Sequence, residues 1–199
     1  MKLPKPKFKG DVSVEEALKA RRTVRAFSNR SLSLDQFSQL LWAGYGITEG
    51  FRRTVPSAGA LYPMDLYAAV GKDGVEWIDE GVYHYIPEEH SISLQTMEDV
   101  RSEIARASLF QSWMADAPVM FIITAEYRRI TIKYGDRGIR YAIMEAGHIA
   151  QNIFLQAEAL GLGAGIVGAF DDERIMKIAN LLRNHYPLLI MPVGYKLPG

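Results

Sequence analysis

Between Ile139 and Leu160 apolar side chains recur at every third or fourth position, through Ile139, Ile143, Ala146, Ala150, Ile153, Ala157 and Leu160. An α-helix of about six turns brings such a series onto one side. Ile149 and Phe154 widen the stripe, so the helix is expected to be buried as the spine of the core. Gly161 stands where a C-cap belongs. A second constraint is Pro118–Thr124, a continuous apolar run of strand length, the pattern of a strand covered on both faces. A buried helix and a covered strand together call for a sheet with helices packed on it.

The remaining elements fit around these two. Ser13-Val-Glu-Glu16 and Ser33-Leu-Asp-Gln36 are capping boxes, in which hydroxyl and acid or amide satisfy each other's end of the first helical turn. The first opens a helix to about Ala20. The second opens one with Leu34, Phe37, Leu40 and Leu41 on its apolar face, ending at Gly44–Gly46. Leu66–Val70 reads as a strand, and Gly81–Ile86 with Ser91–Leu94 as a hairpin. Met97–Ala107 reads as a helix, Gly165–Phe170 as a strand, Asp171–Leu182 as a helix and Leu188–Val193 as the last strand. Without regular βαβ alternation, the expected class is α+β. The chain of 199 residues suits one domain. Residues 1–12 are expected to form an N-terminal arm, with Lys2, Lys5, Lys7 and Lys9 making it a solvated tail, and residues 13–199 the domain.

Composition narrows the chemistry. With 23 basic and 23 acidic residues, nothing in the charge points to nucleic acid. The chain has no cysteine, which removes thiolate catalysis, disulfides, iron–sulfur clusters and Cys-ligated zinc. The longest glycine-free apolar run, Ala117–Ile123, is far short of the ~20 residues of a membrane span. The lysine-bearing N-terminus has no apolar signal core, so the expectation is a cytoplasmic protein.

Gly163-Ala-Gly-Ile-Val-Gly168 matches the spacing of a dinucleotide loop. That loop works only between a strand and a helix N-terminus, whereas here a long helix precedes it and Asp171 and Asp172 would repel phosphate. Glu145-Ala-Gly-His148 has di-iron spacing but no second copy, and His84, His90 and His185 are scattered, so no metal site is expected. Ser57 lacks the frame of a nucleophile elbow. Arg21-Arg22-Thr23-Val24-Arg25 admits two readings: a cationic turn favoured by the helix dipole, or guanidinium forks and a hydroxyl for a phosphate monoester. In Tyr134-Gly-Asp-Arg-Gly-Ile-Arg-Tyr141, Asp136 is a candidate N-cap and an i,i+4 partner of Arg140. Lys133 and Tyr134, just before, are two groups capable of proton transfer.

Together these segments resemble the flavin-dependent nitroreductase superfamily, and most closely its SagB-type branch, the dehydrogenases of thiazole- and oxazole-containing peptide biosynthesis. The resemblance runs from about Val14 to Gly194. It rests on Arg21-Arg-Thr-Val-Arg25, Pro56-Ser-Ala-Gly59 with Ala60-Leu-Tyr-Pro63, Lys133-Tyr-Gly-Asp-Arg-Gly-Ile-Arg-Tyr141 with Glu145-Ala-Gly-His-Ile-Ala-Gln-Asn152, Gly168-Ala-Phe-Asp171 and Pro192-Val-Gly194. It implies a central, mainly antiparallel sheet flanked by helices, a homodimer, and FMN at the dimer interface, with NAD(P)H as a candidate electron donor. By position, Arg21, Arg22, Thr23 and Arg25 would bind phosphate and ribityl. Pro56, Ser57, Ala58 and Gly59 of the other subunit would line the isoalloxazine. Backbone N–H groups around Gly168 and Ala169 would face N5 and O4, and Lys133 and Tyr134 would assist proton removal.

The implied function is two-electron oxidoreduction at flavin N5, as an NAD(P)H-dependent reductase of nitro- or quinone-type acceptors or as an azoline-to-azole dehydrogenase. The alternative is a flavin-binding sensor, store or partner protein without efficient turnover. Two departures stand out. Ala60 and Tyr62 replace the Asn and Gln that many nitroreductases carry after the Pro-Ser turn. No C-terminal Lys-x-Arg completes the phosphate site, for which Lys196 is a weak substitute.

Overall fold

The computed structural model describes residues 1–197; Pro198 and Gly199, which fall within the expected 13–199 domain, lie outside them. In chain order the elements are α1 (Val14–Ala20), α2 (Leu34–Tyr45), β1 (Ile47–Glu49), β2 (Arg52–Arg53), β3 (Met64–Val70), β4 (Gly81–Ile86), β5 (Ser91–Thr96), α3 (Arg101–Ala107), β6 (Val119–Ala125), α4 (Arg128–Tyr134), α5 (Arg137–Ala159), β7 (Gly163–Ala164), α6 (Asp172–Ile178) and β8 (Tyr186–Gly194). β1 and β2 form a small hairpin. The other six strands form one sheet in the order β5-β4-β3-β6-β8-β7, antiparallel at every pairing.

β6 explains the layering. All seven of its residues are buried. Val119, Phe121 and Ile123 point into a core with Leu40 and Leu41 of α2 and Ile149 and Ile153 of α5. Met120 and Ile122 point the other way, toward Ile104 of α3 and Ile175 of α6. A strand buried on both faces needs apolar residues at consecutive positions, which is what its sequence supplies. The α+β expectation therefore holds. Both capping boxes form as read. Gly161, at φ +72, ends α5 with Leu162 donating to the Ala157 carbonyl at 2.8 Å.

Four local expectations are corrected. The lysine-rich arm is not a free tail. Ile92 donates to the Met1 carbonyl at 2.8 Å, Leu3 donates to His90 at 3.0 Å and is buried, and Ser38 Oγ donates to the Pro4 carbonyl at 2.7 Å. Edge strand β5 otherwise offers unpaired backbone groups, and the arm satisfies them while its lysines stay in solvent. The helix expected from Met97 begins at Arg101, because the Asp99 carboxylate accepts from the Arg101 N–H and ends the preceding chain. The strand expected over 165–170 is only Gly163–Ala164 with a bridge at Val167, and Gly168 and Ala169 leave the sheet. The buried stripe of α5 starts late: Ile139, Ile143 and Met144 are exposed, while Ala142 and Glu145 are buried. No helix among the described residues is long and apolar enough to cross a membrane.

Candidate functional site

Two clusters of the expected residues form, on different stretches of α5. In the first, a single 3-10 turn at Ala58–Ala60 follows Pro56 and Ser57 and carries Gly59 at φ +63. A Cβ on Gly59 would lie 2.7 Å from Tyr134 Oη and 3.0 Å from Lys133 Nζ. Lys133 Nζ and Tyr134 Oη, the two candidate proton-transfer groups, therefore converge over this glycine, within one chain. Lys133 and Tyr134 end α4, and Gly135 at φ +55 turns the chain sharply into α5. The Tyr134 ring is held edge-on against Tyr141, centroids 5.2 Å apart. Lys133 is exposed and Tyr134 half-buried.

Beneath the turn lies a group that the sequence marked only as half of a metal motif. Glu145, 2% exposed, accepts from Tyr45 Oη at 2.9 Å through Oε1, while Oε2 has no hydrogen-bond partner. Tyr45 Oη in turn accepts from the Met64 N–H at 3.2 Å. Burial raises the Glu145 carboxyl above its ordinary range, opposed by the hydroxyls of Ser57 and Tyr45 and by Arg53. Burial pushes the Tyr45 phenol far up, so it remains a donor. Arg53 stacks on the Tyr45 ring at 4.4 Å and pairs with Glu88 at 2.8 Å. Nothing in the sequence distinguished Tyr45 or Arg53 from core and surface residues. Glu145 carried the one available signal, a single acid on the buried side of an apolar stripe. His148 of the same motif faces solvent, so the two do not converge.

The second cluster joins Arg21–Arg25 to the strand after α5. Thr23 bridges Ala164, and Val24 donates to the Ala164 carbonyl at 2.8 Å. A Cβ on Gly163 would lie 2.7 Å from Val24, and one on Gly165 2.7 Å from Trp113. These two glycines thus make room for the arginine segment and a tryptophan. Gly168 and Ala169 are exposed, and among the described residues no backbone hydrogen bond takes their N–H groups. Arg21 lies over the Phe154 ring at 5.2 Å and Arg25 over Trp113 at 5.8 Å. Arg22 turns back to the Ala20 carbonyl at 3.2 Å. None of the three guanidiniums has a carboxylate partner among the described residues. Uncompensated guanidiniums gathered on one five-residue segment are a donor set suited to a phosphate-bearing group. Lys196 is tied to Glu158 at 2.6 Å and is not free for that charge. Phe154 and Glu145 are separated on α5 by about 14 Å at helical rise, so the two clusters stand apart within one chain.

Other expectations resolve differently. Asp136 does not cap α5 through its side chain and forms no pair with Arg140; carbonyls of the Gly135 turn take the first helical N–H groups instead. The scattered histidines do meet in part, since Asp65, His84 and His185 come together. Arg129 occupies Asp65 Oδ2 at 2.7 Å and Tyr67 Oη lies 2.8 Å from His185 Nδ1, so each ligand atom is engaged and a guanidinium stands where a cation would.

The family model described as "Nitroreductase family" matches residues 18–195. The Methanocaldococcus jannaschii protein named "Putative nitroreductase MJ1384" is 49% identical over 189 residues, covering 94% of this chain and 93% of that protein. The Microcin B17-processing protein McbC of Escherichia coli is 29% identical over 147 residues, 72% of this chain and 54% of McbC, so the match spans about half of that relative. Among solved structures, "a putative nitroreductase" of Ralstonia eutropha JMP134 superposes with a TM-score of 0.83 at 25% identity, covering 99% of this chain and 89% of that one. The fold is nitroreductase-like, and the peptide-processing relative agrees with the SagB-type resemblance.

Proposed function

The chain belongs to the nitroreductase family, and on that premise we propose that it is an FMN-dependent oxidoreductase with its flavin seated between the two copies of a homodimer. The observation that carries the reading is the convergence of Lys133 Nζ and Tyr134 Oη over Gly59 of the Pro-Ser turn. FMN, when bound, supplies two-electron hydride chemistry at N5. Arg21, Arg22, Thr23 and Arg25 hold its phosphate and ribityl, with Arg22 swinging away from Ala20. The N–H groups of Gly168 and Ala169 serve the ring edge, where fixed donors stabilise developing negative charge. Pro56, Ser57, Ala58 and Gly59 of the other copy cover the ring. The separation of the two half-sites on α5 supports that division, and the exposed Ile132, Ile139, Ile143 and Met144 give the second copy an apolar surface.

In the azoline-to-azole direction the substrate loses a hydride from one ring carbon and a proton from its neighbour, and Lys133 or Tyr134 accepts the proton. In the reductase direction NAD(P)H is the hydride source and the same pair returns a proton to a nitro- or quinone-type acceptor. The reading assigns the protein to the cytoplasm, with a small-molecule or peptide substrate and no nucleic-acid, membrane or metal partner. An absorbance spectrum followed by anaerobic NADH or NADPH tests it. Flavin bands near ~450 nm are expected. Fast bleaching assigns the reductase direction, and bleaching only by an azoline peptide assigns the dehydrogenase. Flavin that neither donor reduces leaves a binder without turnover, and a colourless protein that refuses FMN overturns the reading.

A further inference from the structure

The two segments that carry the Lys133–Tyr134–Gly59 cluster leave the sheet at one rung. Met64, the first residue of β3, lies opposite Ala125, the last of β6, and just beyond them the Glu126 N–H donates to the Pro63 carbonyl at 2.8 Å. There the ladder ends. One branch runs back through Pro63 to the Pro-Ser turn, and the other runs on into α4. They meet again at Gly59, where a Cβ would lie 2.7 Å from Tyr134 Oη and 3.0 Å from Lys133 Nζ. α4 cannot hold that position by itself. It has seven residues, with Ile130 buried and the rest at least partly exposed, and helices this short need outside support. Among the described residues no side chain caps its start, and its first turn carries Arg128 and Arg129 and no acid, against the helix dipole.

Arg129 is thus poorly placed for the helix and well placed for the fork. Its Nη1 meets Asp65 Oδ2 at 2.7 Å, and its Nε meets Glu126 Oε2 at 2.6 Å. Asp65 is the second residue of β3, and its other oxygen meets His84 Nε2 of β4 at 3.0 Å, so the anchor belongs to the sheet. One guanidinium therefore ties α4 to the ends of both strands. Its planar array of donors serves two carboxylates in fixed directions, which a single ammonium does not. Lys133 follows Arg129 by four residues and projects from the same side of α4.

We propose that Arg129 is a positioning residue: braced on Asp65 and Glu126, it fixes α4 against β3 and so holds Lys133 and Tyr134 over the Gly59 turn. Its part in proton handling rests on the flavin-site reading above, so the test has an arm that needs no flavin. Hydrogen exchange read by mass spectrometry, with or without FMN, follows peptides over 128–135, 57–63 and 119–125. Arg129→Gln should speed exchange over 128–135 about tenfold, the loss of one hydrogen bond to a charged group. Exchange over 57–63 should rise about threefold with it, the scale of one neutral contact, although the hydrogen bonds and ion pairs of the Arg129 guanidinium lie outside that turn. The 119–125 peptide should stay at wild type. Arg129→Lys, which keeps one charge for one partner, should fall between, and it carries the test if Arg129→Gln does not fold. In FMN-loaded protein Arg129→Gln should lower kcat about tenfold with the electron donor's KM within about twofold, since displaced proton-handling groups slow chemistry while donor binding is untouched. Asp65→Asn should act on the same contact, with the double variant no worse than the poorer single one. Faster exchange confined to 128–135, or wild-type kcat in a flavoenzyme whose α4 has loosened, overturns the proposal and leaves the flavin reading standing. If no flavin binds, that reading falls, and exchange over 57–63 alone decides whether Arg129 acts on the turn.

Discussion

Two buried polar networks flank the start of β3, and they are built to opposite standards. Around Asp65 every group is engaged: Oδ1 meets His84 Nε2 at 3.0 Å, Oδ2 meets Arg129 at 2.7 Å, and Arg129 Nε reaches Glu126 at 2.6 Å. Tyr67 accepts from the Leu182 N–H at 3.3 Å and bonds His185 at 2.8 Å. Around Glu145, one residue-length away through Met64, a buried carboxyl has one hydrogen bond and no paired cation, because Arg53 stacks on Tyr45 rather than pairing with the acid. The first network is a closed cross-brace for α4. The second leaves a buried carboxylate oxygen without a partner. Satisfied polar groups stabilise, and partly satisfied ones mark places where stability has been traded for another task.

The largest test of this contrast is Arg129→Ala. It leaves Asp65 and Glu126 without their cation, and with the guanidinium partly exposed the loss should be about 2 kcal/mol, or about 5 °C in Tm for a domain of this size. A melting curve within a degree of wild type would show that the brace carries no weight. Arg25→Ala should be nearly neutral for stability, since its charge is unpaired, yet weaken FMN binding about tenfold by removing one phosphate fork. A flavin titration giving equal affinity removes Arg25 from the phosphate site.

Glu145→Gln should behave unlike Arg129→Ala in global stability, leaving it unchanged or raising it by about 1 kcal/mol at pH 7, because a buried charge is removed. The pH dependence carries a sign. Burial raises the folded-state pKa of Glu145, so its destabilising effect is absent below the ordinary value of 4.5 and grows as pH rises through the raised value. Burial lowers His185 and His90, so the unfolded state binds the extra protons and stability falls as pH drops below about 6.5. The advantage of Glu145→Gln in Tm should therefore be greatest near pH 7 and vanish toward 4.5. An advantage constant with pH would mean that the carboxyl is not desolvated as the structure has it.

The same contrast separates what the sequence discloses from what it hides. Capping boxes, the covered strand Val119–Ala125 and the C-cap at Gly161 are set by local backbone chemistry and by period, and the structure matches them closely. The docked arm depends on a partner far along the chain, β5 for Met1–Leu3, which no local pattern records, and Asp99, which sets the start of α3 by accepting from Arg101, is itself fixed by the distant Lys72 N–H. The exposed first turns of α5 read as core because an apolar stripe has the same spacing whichever apolar surface covers it. Resemblance named the turn, the arginines and the Lys-Tyr pair. The convergence of Lys133 and Tyr134 over Gly59, and the separation of the arginines from it, required the fold. Tyr45 and Arg53 were hidden because a buried tyrosine and a surface arginine are ordinary residues until a carboxylate is found between their elements.

The smallest predicted effect concerns Lys196, whose ammonium is paired at 2.6 Å with a carboxylate whose side chain is 6% exposed. Its stem lies against Gly163, beside Val24 of the arginine segment, so it is near the proposed phosphate site but its charge is already committed. Glu158→Gln removes the competing anion while preserving volume. If the arginines bear the phosphate because Lys196 is occupied, the freed ammonium should tighten FMN binding about threefold, the scale of one partly exposed ion pair. The gain should be larger in an Arg25→Ala background, where the phosphate lacks a fork. Unchanged affinity in both backgrounds would show that Lys196 does not reach the phosphate even when free, and would confine the proposed anion site to Arg21, Arg22 and Arg25.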